Sequence, residues 1–233
     1  MTEPLPLVLI PGLLASPRLY APQIPQLWRA GPVTIADHTR DDSIAAIARR
    51  ILESAPRAFA LAGLSMGGYI AFEIVRRAPE RVARLALLDT SAWPDTAEQS
   101  AARRAHMALA SQGRFAEVVD ALFPRLVHRT RREDAALRTL FDLMATEVGA
   151  AAYVRQQAAN IGRADSRPTL AHIRCPTLVL VGDGDELTPP ERAAEMAQGI
   201  AGARLVSVAQ CGHLSTLERP EEVTRALLEW LRA

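Results

Sequence analysis

Three residues far apart in this sequence have types that could do nucleophilic chemistry together: Ser65, Asp185 and His213. Ser65 stands at the centre of Gly63-Leu64-Ser65-Met66-Gly67. An apolar run, residues 59–64, stops at the serine, and a second run with helical spacing, residues 69–75, begins just beyond it. A G-x-S-x-G spacing in that setting describes a strand, a sharp turn and a helix, with the serine at the apex. So tight a turn holds the serine in a strained backbone conformation. Side chains two positions either side would collide, which accounts for the glycines. The turn lifts the hydroxyl clear of the sheet and aims a helix N-terminus at whatever the serine attacks.

A serine hydroxyl is a weak nucleophile until a base takes its proton. His213 is the base this sequence offers, in Gln210-Cys211-Gly212-His213, where Gly212 leaves room for the ring. His38 is the rival, in a loop at the same sheet edge. His106 and His128 fall in a helical stretch, and His172 precedes a strand and belongs at the opposite edge. The imidazole in turn needs a carboxylate to hold its tautomer and stabilise its charged form. Asp185 is assigned that role, with Asp183 in the same loop as the near rival and Asp89 as the distant one. The chain order Ser, Asp, His fits a hydrolase triad on an α/β sheet. The developing oxyanion needs donors. The Met66 amide follows the nucleophile, and the Leu13 amide lies in the loop after the first strand; Pro11 has no N–H to offer.

Those residues have to be brought to one place by the elements between them. Residues 5–10 are apolar on both faces, as in a strand buried within a parallel sheet. A short helix is expected over 20–28, a strand over 33–36, and a helix over 44–55 capped by Ser43. The strand 59–64 and a helix over 66–78, closed by Pro79, come next. A strand over 82–88 completes a β, α, β, α, β, α, β rhythm, which means a parallel sheet with right-handed crossovers and helices on both faces. Residues 96–162 then show helical periodicity only, over 97–111, 115–122, 132–148 and 151–161. The rhythm returns with strands over 176–181 and 204–208 and helices over 191–200 and 220–231. The expected fold is therefore α/β, with residues 1–90 and 169–233 forming the core and an all-helical insertion between them that would lie over one end of the sheet, as a lid over the site or as a packing extension with no role in it. Loops at the C-terminal ends of parallel strands converge on one edge, where ligands bind. Leu13, Ser65, Asp185 and His213 all fall there. Tyr20, Trp93, Met107 and Phe123 are candidate pocket-lining residues.

The 233-residue chain is 49% hydrophobic and 23% charged with a formal net charge of +1, ordinary for one globular α/β domain. That balance gives no reason to expect nucleic acid or an anionic membrane as partner. Cys175 is placed just before one strand and Cys211 just after the next. A strand of about seven residues spans roughly 23 Å, whereas a disulfide needs Cα atoms within about 7 Å, so the two are not expected to pair. The apolar run over 5–14 lacks a basic leader and is broken by Pro6, Pro11 and Gly12, so it reads as a strand and loop rather than a signal peptide. A reducing cytoplasm is the simplest fit. The histidines are scattered, with no C-x-x-C, no H-E-x-x-H and no dinucleotide fingerprint, so neither a metal nor a cofactor is expected.

The chain resembles the α/β-hydrolase superfamily, and within it the small bacterial esterase and enol-lactonase-like group. The resemblance rests on Gly63 to Gly68, on Pro79-Glu80-Arg81-Val82, on Gly182 to Pro190, and on Gly212-His213 followed by Glu218-Arg219-Pro220-Glu221. It implies Ser65 as nucleophile, His213 as base, Asp185 as acid and a helical cap over 91–168. Pro11-Gly12 stands where the family often has His-Gly, which removes a side chain that commonly orders that loop. Residues 37–42 are polar where the family usually carries glycines. The sheet is expected to be a minimal one of about six strands. The expected activity is hydrolysis of a small carboxylic ester or lactone through an acyl-enzyme. C–C bond hydrolysis, perhydrolysis, and small-molecule binding without catalysis are the alternatives.

Overall fold

The computed structural model describes residues 4–233. Six strands, β1 (Leu7–Ile10), β2 (Val33–Ile35), β3 (Phe59–Leu64), β4 (Val82–Leu88), β5 (Thr177–Gly182) and β6 (Arg204–Val208), form one sheet in the order β2-β1-β3-β4-β5-β6. Every neighbouring pair is parallel. β1, β3 and β5 are buried along their whole length, which is why their sequences are continuous apolar runs rather than alternating ones. β2 and β6 are the edges and carry exposed positions.

Alternate residues feed two cores, one on each face. Leu7, Leu9, Ala60, Ala62, Ala86 and Leu178 face a core shared with Leu27, Val223, Leu227 and Trp230. Those four belong to α1 (Ile24–Ala30) and α10 (Pro220–Arg232). Val8, Ile10, Leu61, Leu85, Leu87 and Val179 face the other, closed by α2 (Ile44–Ser54), α3 (Met66–Arg77) and α8 (Pro190–Gly199). Each fully buried aliphatic side chain contributes about 1.5–3 kcal/mol, so the sheet is a rigid platform for the loops at its ends.

Between β4 and β5 lie four helices, α4 (Ala97–Ser111), α5 (Phe115–Leu126), α6 (Ala135–Ile161) and α7 (Arg167–Leu170). α4 starts with a capping box in which Thr96 and Gln99 satisfy each other's backbone N–H. α6 is two helical segments broken at Gly149, whose φ of 75° suits a residue without a Cβ. The expected helix over 115–122 continues to Leu126, because Pro124 lies in the last turn, where it interrupts little. The expected helix over 20–28 is split into a 3-10 turn, Pro17–Tyr20, and α1, since Pro25 suits the first turn of a helix rather than its middle. A last short helix, α9 (Ser215–Glu218), follows the loop of His213. Cys175 and Cys211 are both free. No helix among the described residues is long and apolar enough to cross a membrane.

The strand order reverses between β1 and β3: β2 lies on one side of β1 and β3 on the other. The loops leaving β1 and β3 therefore diverge and leave a crevice, the usual ligand position in an open α/β sheet. Leu13 lies in the first of those loops, and Ser65 directly follows β3.

Candidate active site

Ser65 adopts φ 56° and ψ −116°, left-handed for a residue with a side chain, between β3 and α3. The glycines around it are dictated by close backbone contacts. A Cβ on Gly63 would sit 2.2 Å from the Gly67 carbonyl oxygen, and one on Gly67 would sit 2.1 Å from the Ile10 carbonyl oxygen. Gly67 thus answers to the neighbouring strand β1 as well as to the turn. Thr90 locks the turn from β4, its hydroxyl donating to the Ser65 carbonyl at 2.8 Å.

His213 Nε2 lies 2.7 Å from Ser65 Oγ, and His213 Nδ1 lies 2.7 Å from Asp185 Oδ2. An ionised carboxylate only accepts, so the ring proton sits on Nδ1 and the Nε2 lone pair faces the serine hydroxyl. Asp185 is saturated with donors: Leu187 N–H at 2.9 Å, Thr188 N–H at 3.0 Å and the Thr188 hydroxyl at 2.7 Å. Burial opposes its ionisation, but His213 and these donors hold its carboxyl below the usual range. His213 is raised above its ordinary value: burial works against the cation, and Asp185 beside it wins.

The two rival acids have other work. Asp183 is exposed and accepts the Cys211 N–H at 3.2 Å, which ties the loop of His213 to the end of β5. Asp89 is fully buried, accepts the Gly182 N–H at 3.0 Å and is bonded by the Ser215 hydroxyl. Burial first, and then the nearby charge of Asp185, push its carboxyl well above the usual range.

The rival base, His38, is buried under the loop that follows β1, with Nε2 2.8 Å from the Gly12 carbonyl oxygen. The carbonyl accepts, so the ring donates from Nε2 and has no lone pair there for the Gln156 amide nitrogen 3.0 Å away. Burial keeps its pKa below the ordinary value. Gln156 Oε1 accepts the Leu14 N–H at 3.2 Å. The Leu13 amide is therefore flanked by two anchored groups, and Leu14 is held at φ 59°. Sequence reasoning missed Gln156 altogether. The available signal was a polar pair, Gln156-Gln157, followed by Asn160 on a helix, all three almost wholly buried.

A cavity of about 170 Å³ opens above Ser65 and His213. Leu13 and Leu14 form part of its floor, Leu122 and Leu126 of α5 an apolar side, and Arg103, Gln157, Asn160 and Arg163 a polar side. None of the four expected pocket residues lines it. Tyr20 is fully buried in the core, its hydroxyl donating to the Ile10 carbonyl at 3.0 Å. Trp93 donates its indole N–H to Glu195 at 2.6 Å and lies between the guanidinium groups of Arg167 and Arg192, 3.8 and 4.1 Å from its ring centroid. Phe123 is buried against Phe141, with ring centroids 5.8 Å apart. Met107 is half-buried and off the cavity wall. In α4 and α5 the cavity is lined instead by the residues just before these two, His106 and Leu122. One position on a helix is a rotation of about 100°, enough to move a side chain from the cavity to the core. His106 is held below its ordinary pKa, by burial first and then by the charges of Arg125 and Arg103. Among the described residues no cluster of side chains is suited to a metal ion.

The model of the alpha/beta hydrolase family matches residues 5–226. A pimeloyl-[acyl-carrier protein] methyl ester esterase from Aromatoleum aromaticum is 28% identical over 234 aligned positions, spanning 93% of this chain and 94% of that one. A thermophilic esterase from Thermogutta terrifontis, solved with malate bound, has a TM-score of 0.88 at 28% identity, with 99% of this chain and 90% of that one covered. The enol-lactonase from Burkholderia xenovorans LB400 has a TM-score of 0.89 at 24% identity, with 99% and 92% covered, a likeness of fold.

Proposed function

The chain belongs to the alpha/beta hydrolase family, and we propose that it is a serine hydrolase that cleaves a small carboxylic ester or lactone through an acyl-enzyme on Ser65. The observation that carries this reading is the unbroken line of hydrogen bonds from Ser65 through His213 to Asp185, each 2.7 Å.

Ser65 Oγ attacks the substrate carbonyl carbon while its proton passes to His213 Nε2. Asp185 stabilises the imidazolium that forms and keeps the ring in place. The Leu13 and Met66 amides, neither of which has a protein acceptor among the described residues, receive the oxyanion. The tetrahedral adduct collapses, the C–O bond to the alcohol breaks, and His213 returns the proton to the leaving oxygen. Water then attacks the acyl-enzyme by the same route, releasing the acid and restoring Ser65. In a lactone the leaving hydroxyl stays tethered to the acyl group.

Residues 91–168 act as the cap in this reading, supported by the way α4, α5 and α6 all contribute to the cavity wall above Ser65. The cavity size supports a small substrate, since about 150 Å³ is enough for a benzene-sized molecule. The relatives named as esterase and lactonase are consistent with the same chemistry. A panel of p-nitrophenyl esters, lactones and β-diketones, compared by kcat/KM, tests the assignment. Esters or lactones are expected to lead; diketones leading by tenfold or more would overturn it in favour of C–C bond cleavage.

A further inference from the structure

The polar side of the cavity carries an unbalanced charge. Asp95 is an ion-pair partner of two arginines: Arg103 Nε lies 2.7 Å from Asp95 Oδ2, and Arg163 Nη1 is bonded to Asp95 Oδ1. The side chains of Asp95 and Arg163 are 1% and 6% exposed, and that of Arg103 is 20% exposed, so this is an interior cluster rather than a solvated one. No other carboxylate among the described residues pairs with either arginine. Two cations on one anion leave one net positive charge in the wall. Buried charges are ordinarily paired, because desolvating an unpaired one is unfavourable.

Nothing else in the cavity supplies the missing anion. Arg125 and His106 also line it, and no aspartate or glutamate does. Arg125 forms no ion pair among the described residues. The other partners of the two arginines are neutral: Arg103 donates to Gln157 Oε1 at 2.7 Å, and Arg163 donates to the Trp93 carbonyl at 2.9 Å and the Asn160 carbonyl at 3.0 Å, with its guanidinium 4.3 Å from the centroid of the Tyr69 ring. Asn160, 1% exposed and on the same wall, has a side-chain oxygen position with no protein partner. Asn160 lines the cavity, and its side-chain amide carries two N–H donors beside that oxygen. A structural ion pair would need only one of the arginines. A wall with a surplus cation, a spare amide and no acid matches a ligand that brings a carboxylate of its own.

We propose that the substrate carries a free carboxylate apart from the bond that is cleaved, received on the wall formed by Arg103, Arg163 and Asn160 with Arg125 at its margin. The proposal rests on the ester or lactone reading for the cleaved bond, but binding of the acid does not depend on cleavage. Such a substrate is fixed at two points: the carboxylate at the arginine wall and the scissile carbonyl at Ser65. Two-point fixing gives orientation as well as affinity. The apolar side, Leu122 and Leu126, is left to contact the carbon chain between them.

The test compares a monomethyl dicarboxylate with its dimethyl ester, at several chain lengths. An acetyl ester of a hydroxy acid and its methyl ester form a second arm, which moves the carboxylate to the alcohol side. In at least one arm the free acid is expected to have a kcat/KM at least tenfold higher, chiefly through KM. The preference is expected to shrink to within about twofold in Arg163→Gln. Because Arg163 is buried and that variant can fail to fold, calorimetry on Ser65→Ala provides a second measurement. Ser65→Ala is expected to bind the best monoacid at least tenfold more tightly than its neutral diester, with affinity falling as salt rises. Equal or faster turnover of the neutral esters in both arms, with equal binding to Ser65→Ala, overturns the proposal and leaves the hydrolase reading standing. Tight, acid-selective binding with no turnover of any ester by the unaltered protein supports it and overturns the hydrolase reading instead.

Discussion

The Glu218 carboxylate accepts the Gly212 N–H at 2.9 Å, one residue before His213. Its other oxygen accepts the His128 N–H at 2.8 Å. One buried side chain thus clamps the loop of the proposed base to the end of the α5 segment. Leaving a buried N–H without an acceptor costs about 1–3 kcal/mol, and Glu218→Ala orphans two. Urea unfolding is expected to show a loss of at least about 2 kcal/mol, with kcat reduced because His213 is less firmly placed. A loss below about 0.5 kcal/mol would mean that the clamp is not needed.

Asp185 and Asp89 differ in what they do, although both are buried near His213. Asp89 is raised by burial and by Asp185, so it favours the protonated state that asparagine resembles. Asp89→Asn is expected to keep kcat within about tenfold, whereas Asp185→Asn removes the tautomer-holding acceptor and is expected to lower kcat by about 10⁴. The stability effect has a definite sign. An acid whose folded pKa lies above its unfolded value binds more protons when folded, so stability falls as pH rises above about 4. Asp89→Asn is therefore expected to gain in Tm relative to the parent between pH 5 and pH 8.

The pH profile follows from His213. Only the neutral ring can take the serine proton, and Asp185 raises its pKa above the ordinary 6.5 against the effect of burial. kcat/KM is expected to rise with pH along an acidic limb whose midpoint lies above 6.5. For stability the same shift runs the other way: the His213 contribution is complete below about 6.5 and is lost as pH rises through the folded value. A limb centred near 5 would point to a different titrating group.

Gln156 tests the loop that carries the proposed Leu13 donor. Removing an oxyanion donor outright costs about 10²–10³ in kcat. Gln156→Leu removes only the acceptor for the neighbouring Leu14 N–H, so a loss of about tenfold in kcat is expected, with KM within about twofold. A change in KM alone would make Gln156 a pocket residue rather than a positioning one.

The elbow tests the backbone. Gly67→Ala places a Cβ 2.1 Å from the Ile10 carbonyl oxygen at the end of β1, where neither partner can yield. Overpacking of that kind costs about 1–3 kcal/mol and occasionally more, visible as a fall in Tm. An unchanged Tm would contradict the close approach of α3 to β1.

The sheet, the elbow and the loop positions of Ser65, Asp185 and His213 were legible because each depends on local pattern: apolar runs for β1, β3 and β5, and glycines where backbones touch. The pocket was not, because it depends on helix rotation and on partners distant in sequence. Phe123 and Trp93 look like pocket residues by composition, yet Phe123 joins a core aromatic pair and Trp93 is held by two arginines and Glu195. Gln156 carries no motif, and its contact with Leu14 spans 142 positions. The pairing of Arg103 and Arg163 on Asp95 is equally invisible, since charged residues ordinarily face solvent.

Ser65 as the nucleophile is tested most directly by treating the folded protein with a fluorophosphonate and mapping the adduct by mass spectrometry. One adduct is expected, on the peptide containing Ser65, growing in step with loss of ester hydrolysis and absent from Ser65→Ala. Folded protein that takes up no label, or a Ser65→Ala variant that hydrolyses esters at the parent rate, would contradict the proposed acyl-enzyme.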